Sequence, residues 1–346
     1  MSKRSLSLSG ASSFLFTFLL IWIPVPFSAP RAVAQSADDV HVVPRDQPSA
    51  RAAASDNSNG VGSVARPSSK RFRVDVDLVL IPVTVTDNKH RVVTSLQKEN
   101  FLLSEAGEPQ PIQYFSAEDA PISIGVLLDL SRSMTNKIDT AREALGEFFK
   151  NANPEDDYFV LSFANRPELV AGTTQSIENI QNKLALAIPH GNTALLDAIY
   201  VGISRLRNAR YKRRALLIIS DGGDNHSRYY AKEIKKLVQE ADVEIYAIGI
   251  FDSIFKTYEE WAGKRLLTEI SEETGGRTVT VDDLGKLPEI AAMISRELRN
   301  QYVLGYRPKN FGRDGLWRKI KVQLTRSLND SPLQIYYRRG YQAPAE

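Results

Sequence analysis

From residue 121 to about residue 300 the chain alternates short apolar runs with longer stretches of helical period, and this alternation restricts the architecture more than any other feature. The apolar runs are 122–128, 158–163, 215–219 and 243–250, with a weaker one at 278–281. Runs without polar interruption are expected of strands covered on both faces. Between them the spacing predicts helices over 135–150, 177–187, 194–206, 230–241 and 284–300. Strand and helix in turn give an α/β fold, a doubly wound and mostly parallel sheet of Rossmann-like layout.

The residues that close these runs carry the chemistry. Asp129-Leu130-Ser131-Arg132-Ser133 follows the first run directly, Asp221 follows the third, and Thr193 in Gly191-Asn192-Thr193-Ala194-Leu195 precedes a predicted helix. In open α/β sheets ligands collect beyond the carboxyl ends of the strands, so three separate segments can converge there. Two carboxylates and three hydroxyls offer a cation only oxygen, which suits Mg²⁺ or Mn²⁺ rather than zinc. Ligands that are mostly neutral hydroxyls leave the ion strongly electrophilic, and with a position open it would favour an incoming carboxylate. Each element also has a plainer reading. Ser131, Ser133 and Thr193 are good helix N-caps, and Asp221-Gly222-Gly223 is an ordinary turn sequence.

Taken together and in this order, the three elements resemble the von Willebrand factor type A domain over residues 120–300. That family's metal-ion-dependent adhesion site reads D-x-S-x-S, then threonine, then aspartate. The resemblance implies that Ser131, Ser133 and Thr193 contact the ion and that Asp129 and Asp221 often act through water. Segments 96–101, 302–306 and 339–341 are similar to those of the type A-related family described from acidobacteria, a name that carries architecture rather than activity.

The flanks read differently from the centre. Lys3 and Arg4, a short apolar stretch over 14–23 and Ala32-Val33-Ala34 have the form of a secretory signal peptide at 1–34. The stretch is shorter than the roughly 20 residues a membrane span needs, so membrane association is expected only if the signal is retained. Three of the 44 Lys and Arg residues lie in it, against 41 Asp and Glu in the chain, so the cleaved protein would be formally neutral. That excludes the charge signature of nucleic-acid binding, and the expected location is periplasmic or extracellular. With no cysteine, the chain has no disulfide, thiolate metal site or cysteine nucleophile.

Residues 35–70 are rich in Ser, Ala, Asn, Pro and Gly and read as a disordered linker. Residues 71–119 form an N-terminal β unit, with a phase slip beside Pro82 that signals a bulge or an edge position. Residues 301–346 are again β, with strands predicted at 301–306, 318–324 and 333–341 and a hairpin-like connection at Gly312-Arg313-Asp314-Gly315. These terminal strands need a partner for their apolar faces, and the N-terminal unit is expected to supply it.

Other polar residues are weaker candidates. Arg132, Asp224 and Asn225 lie beside the oxygen cluster and would touch a partner, if they are not simply solvated. His226 is near Asp221 in sequence, and the basic run from Arg205 to Arg214 reads as a solvated helix end or, less often, a partner surface. No nucleophile elbow or phosphate-binding loop is present, and the four histidines do not pair at zinc spacing. The expectation is a non-enzymatic module that binds Mg²⁺ or Mn²⁺ and, through it, an acidic group of a protein. The alternatives are a Mg²⁺-dependent hydrolase or phosphoryl-transfer enzyme, with Asp129 as nucleophile, and a scaffold with an incidental metal site.

Overall fold

The flanking strands meet each other around the central domain. In this computed structural model, which describes residues 78–251, 258–309, 312–325 and 332–345, the N-terminal unit contributes β1 (Val79–Thr86), β2 (Phe101–Glu105), β3 (Glu108–Gln110) and β4 (Tyr114–Ser116). The central sheet is built from β5 (Ser123–Asp129), β6 (Asp157–Phe163), β7 (Pro167–Thr174), β8 (Arg214–Ser220), β9 (Glu244–Gly249) and β10 (Thr278–Thr280). The last strands are β11 (Tyr302–Tyr306), β12 (Trp317–Leu324), β13 (Gln334–Tyr337) and β14 (Gly340–Gln342). The signal segment, the linker and residues 71–77 of the expected N-terminal β unit lie outside the described residues.

The central sheet runs β10-β9-β8-β5-β6-β7, parallel except for β7, which pairs antiparallel with β6. One face is covered by α1 (Ile138–Lys150), α2 (Ile177–Ala185) and α6 (Leu287–Arg299). The other carries α3 (Leu195–Leu206), α4 (Ala231–Glu240) and α5 (Tyr258–Thr274). Every residue of β5, β6 and β9 is buried, as two-sided coverage requires. The doubly wound reading therefore holds. Among the described residues no helix is long and apolar enough to cross a membrane.

Two four-stranded antiparallel sheets, β13-β1-β11-β4 and β14-β12-β2-β3, enclose a second core. It contains Ile81, Val83 and Val85 of β1, Phe101 and Leu103 of β2, Tyr302, Leu304 and Tyr306 of β11, and Ile320 and Val322 of β12. Each sheet thus combines two N-terminal and two C-terminal strands, alternating in the first and meeting at the β12–β2 pair in the second, as the unpaired apolar faces demanded. Pro82 sits in an unbroken register with β11, so there is no bulge. It occupies the edge position instead, because β13 pairs with β1 only from Val83 onward.

Four expectations need correction. The stretch 333–341 is two strands in two different sheets, divided at Arg338-Arg339. Gly312–Gly315 is no hairpin, since β11 and β12 belong to opposite sheets. The first helix begins at Ile138 rather than Thr135, with a 3-10 turn at Arg132–Met134 before it. The basic run after α3 is not simply solvated, for the half-buried Arg213 donates to the Leu298 carbonyl at 2.6 Å, to Gln301 Oε1 at 3.0 Å and to the Ala120 carbonyl.

At the seam between the central sheet and the sandwich, Glu244 is buried and accepts from Gln301 Nε2 at 2.8 Å with both oxygens. Burial pushes its carboxyl up to about 7 from an ordinary 4.5, outweighing Gln301, Arg213 and Tyr246, which favour the charged form. A carboxyl raised on folding stabilises the fold while protonated. Its contribution is greatest below about pH 4.5 and is lost as pH rises through about 7, a span worth roughly 3 kcal/mol. Glu244→Gln is expected to flatten that part of the pH–stability curve, measured by denaturant titration from pH 4.5 to 8. Parallel curves for the two proteins would contradict it.

Candidate functional site

The segments singled out in the sequence meet at the carboxyl ends of β5 and β8, and hydrogen bonds tie them pairwise. The Arg132 amide donates to the Gly191 carbonyl at 3.2 Å, and the His190 amide to the Leu130 carbonyl at 2.7 Å. Ser220 Oγ donates to Asp129 Oδ2 at 2.6 Å. The Asn225 and His226 amides donate to the Thr193 carbonyl at 3.0 and 3.1 Å, and the Thr193 amide returns a bond to Asn225 Oδ1 at 3.0 Å. Three loops distant in sequence thereby form a closed triangle of contacts.

Two glycines make the closure possible. Gly191 has φ +69° and lies against Asn165, whose Oδ1 accepts the Asn192 amide at 2.9 Å, so a side chain there would strike it. Gly222 has φ +85°, packs under Phe251 and offers its carbonyl to the close approach of Gly263 on α5. The loop carrying Asp221 is thus pressed between β9 and α5.

Within the triangle Asp129 is fully buried, and Ser131, Thr193 and Asp221 are nearly so. Asp129 Oδ1 accepts the Ser131 amide at 2.8 Å, and Ser131 Oγ lies 3.0 Å from Ser133 Oγ, which is exposed. Burial, with the charge of Asp221 second, pushes the Asp129 carboxyl up to about 7, against the hydrogen bonds from Ser131 and Ser220. Two carboxylates close enough to repel, held beside hydroxyls, form a site whose electrostatics a dication would reverse.

The capping alternatives are not realised. The residue before α1 is Lys137 and the residue before α3 is Ala194, and neither helix has a side-chain cap from Ser131, Ser133 or Thr193. The hydroxyls are therefore not consumed by helix ends. Among the described residues no three His, Cys, Asp or Glu side chains cluster. The donors present are two carboxylates and three hydroxyls, a hard, oxygen-only set that fits Mg²⁺ or Mn²⁺.

The rim candidates have separate positions. Arg132 is exposed. Half-buried Asp224 is turned to α3, where its Oδ1 accepts the Leu196 amide at 3.3 Å and Ser227 Oγ at 2.5 Å. Asn225 holds the Thr193 backbone, as above. His226 is exposed, with Nδ1 3.4 Å from Asn192 Nδ2.

Sequence reading missed Ser220, Asn165 and Lys137. Ser220 was findable, because β5 and β8 are neighbouring parallel strands in register at Leu128 and Ile219, so the next residues must face one another. Asn165 and Lys137 act on groups 27 and 84 residues away, beyond any local pattern.

Fold and site together define a doubly wound α/β domain with an oxygen-lined cluster at its strand ends. The sequence profile of the von Willebrand factor type A domain matches residues 124–223, from β5 to just past Asp221, so this stretch is similar to that family. Such domains are mostly non-catalytic modules that mediate protein interactions and often bind divalent cations. An uncharacterized protein of Borreliella burgdorferi is 26% identical over 188 residues, which is 47% of this chain and 55% of that one. The chain thus spans about half the length of that curated relative. A solved structure of the conserved hypothetical protein BatB from Bacteroides thetaiotaomicron is 16% identical, with a TM-score of 0.41 over 51% of this chain and 98% of that chain. A von Willebrand factor type A structure from Catenulispora acidiphila is 10% identical, with a TM-score of 0.46 over 77% of this chain and 75% of that one.

Proposed function

We propose that this is an exported, non-enzymatic interaction protein of the periplasm or cell exterior. Its type A domain holds Mg²⁺ or Mn²⁺ among Asp129, Ser131, Ser133, Thr193 and Asp221 and captures an acidic side chain of a protein partner. The observation that carries this reading is the closed triangle of loops around two carboxylates and two neighbouring hydroxyls that cap no helix. A bound dication would supply a strong electrophile for an incoming carboxylate. Ser131 and Ser133 would fix its position, Thr193 would approach from the second loop, and Asp129 and Asp221 would hold its water shell.

The surface around the cluster supports a protein partner. The four most exposed large apolar side chains among the described residues are Leu186, Tyr258, Ile188 and Tyr230, each three-quarters exposed or more. All four lie at the carboxyl pole of the sheet. Leu186 and Ile188 precede Thr193, Tyr230 ends the loop after Asp221, and Tyr258 opens α5. A polar centre with apolar side chains around it suits an acidic anchor flanked by apolar residues.

A nucleophilic role for Asp129 is disfavoured, since it is fully buried and both its oxygens already accept hydrogen bonds. The test is Mn²⁺ and Mg²⁺ calorimetry on the purified chain, followed by affinity capture from the native envelope with and without EDTA. Cation binding and a partner released by chelation are expected; no cation binding would leave only a scaffold. Leu186→Ser and Ile188→Ser are expected to weaken partner capture by about 1–2 kcal/mol each with Mn²⁺ affinity unchanged. Capture equal to the parent's would remove the apolar rim from the interface.

A further inference from the structure

Lys137 stands immediately before α1, yet its ammonium serves the opposite side of the site. Nζ donates to Asp221 Oδ2 at 3.2 Å and to the Ile250 carbonyl at 3.4 Å. Its side chain is only 21% exposed and that of Asp221 only 6%. A cation at a helix N-terminus faces the unfavourable end of the helix dipole, so the helix does not hold it there. What holds it is Asp221, whose negative charge is also set against that of Asp129. Without a bound ion, the pocket contains two carboxylates and one tethered ammonium.

We propose that Lys137 is the built-in counter-ion of this site. Its ammonium compensates Asp221 while no dication is present, and an incoming Mg²⁺ or Mn²⁺ must displace it from Asp221 or bind against its charge. Lys137 thereby sets the cation affinity low. The inference rests on the reading of Asp129, Ser131, Ser133, Thr193 and Asp221 as a cation site. Displacement is physically easy, because a flexible four-carbon stem carries the charge and the side chain is not sealed from solvent. The device also discriminates. A monovalent cation offers Asp221 no more charge than the tethered ammonium does, whereas a divalent one offers twice as much.

The test is a Mn²⁺ titration of the purified chain, with free ion followed by electron paramagnetic resonance, on the parent, Lys137→Met and Lys137→Arg. Methionine keeps the length of the side chain and removes the charge; arginine keeps the charge. Lys137→Met is expected to bind Mn²⁺ about tenfold more tightly or better, and Lys137→Arg like the parent. Thermal melting gives an independent readout. In EDTA, Lys137→Met should melt below the parent because Asp129 and Asp221 lose their compensation, and saturating Mn²⁺ should close the gap. Equal or weaker Mn²⁺ binding by a folded Lys137→Met protein would overturn the counter-ion role and leave the cation site standing. Absence of Mn²⁺ binding in all three proteins would overturn the cation site itself, and this inference with it.

Discussion

Asp129→Asn is expected to abolish measurable divalent-cation binding while making the metal-free protein more stable at pH 8. The first effect follows from charge. Asparagine preserves volume and still accepts the Ser131 amide, but the buried negative charge that balances a dication is gone. A loss of 100-fold or more in Mn²⁺ affinity is the expected scale, on the order of 3 kcal/mol. The second effect follows from where the carboxylate sits. Its carboxyl is raised from an ordinary 3.8 to about 7, first by burial and then by Asp221. A carboxyl raised on folding supports the fold while protonated, so its contribution is greatest below about pH 4 and is lost as pH climbs through about 7. At pH 8 the charged form carries a penalty on the order of 4 kcal/mol, which the neutral amide does not. The expected order of melting temperature at pH 8 is therefore parent in EDTA, then Asp129→Asn, then parent saturated with Mn²⁺. An Asp129→Asn protein that still binds Mn²⁺ like the parent would remove Asp129 from the site. Asp129→Ala should lose cation-dependent capture as well, but it also leaves the Ser131 amide and Ser220 hydroxyl without their acceptor.

The cost of burying such a charge is why the candidate residues stood out before any geometry. Buried strands need apolar residues, so a carboxylate at the end of such a run, followed by hydroxyls at spacing two, stands out against its surroundings. The same contrast exposed Asp221. The strand–helix alternation was legible for a related reason, since segments covered on both faces have little compositional freedom. Weaker contrast hid other elements. The helix α5 was not foreseen because its buried stripe is Gly263, Leu266, Leu267, Ile270 and Ser271, too short and too small to stand out among its charges. The strand β7 was missed because it is a largely exposed edge containing Gly172 and three threonine or glutamate positions, which gives no clean alternation. The break within 333–341 is invisible locally. Period-two side chains continue across Arg338-Arg339, and only the pairing partners, β1 on one side and β12 on the other, reveal a change of sheet. Lys137 resembles any other lysine at a helix start until Asp221 is brought beside it.

The largest expected effect on stability lies at the other pole. Arg277→Met should destabilise the protein by about 3–5 kcal/mol, the usual consequence of leaving a buried charge unpaired. Arg277 precedes β10, and its guanidinium grips Glu297 near the end of α6 through Nε at 3.1 Å and through Nη2. Glu297 is wholly buried, so no water replaces the lost partner. The same guanidinium reaches His90 Nδ1 at 3.2 Å and lies 5.4 Å from the ring centre of Tyr336, so it also fastens the sandwich to the central domain. Burial pushes the Glu297 carboxyl upward against the pull of Arg277, and once Arg277 is removed the acid should take up a proton on folding. The destabilisation should accordingly grow as pH rises from about 5 to 8. A double variant, Arg277→Met with Glu297→Leu, removes both charges and is expected to recover most of the loss, which a double-mutant cycle in urea would measure. Arg277→Met within 1 kcal/mol of the parent would show that the pair does not hold the seam. Since Arg277 and Glu297 lie at the end of the sheet opposite Asp129, the folded fraction of Arg277→Met should bind Mn²⁺ with parental affinity. The Asp129 and Arg277 variants therefore separate the two demands on this fold: Asp129→Asn loses the ion and gains metal-free stability, whereas Arg277→Met loses stability and keeps the ion.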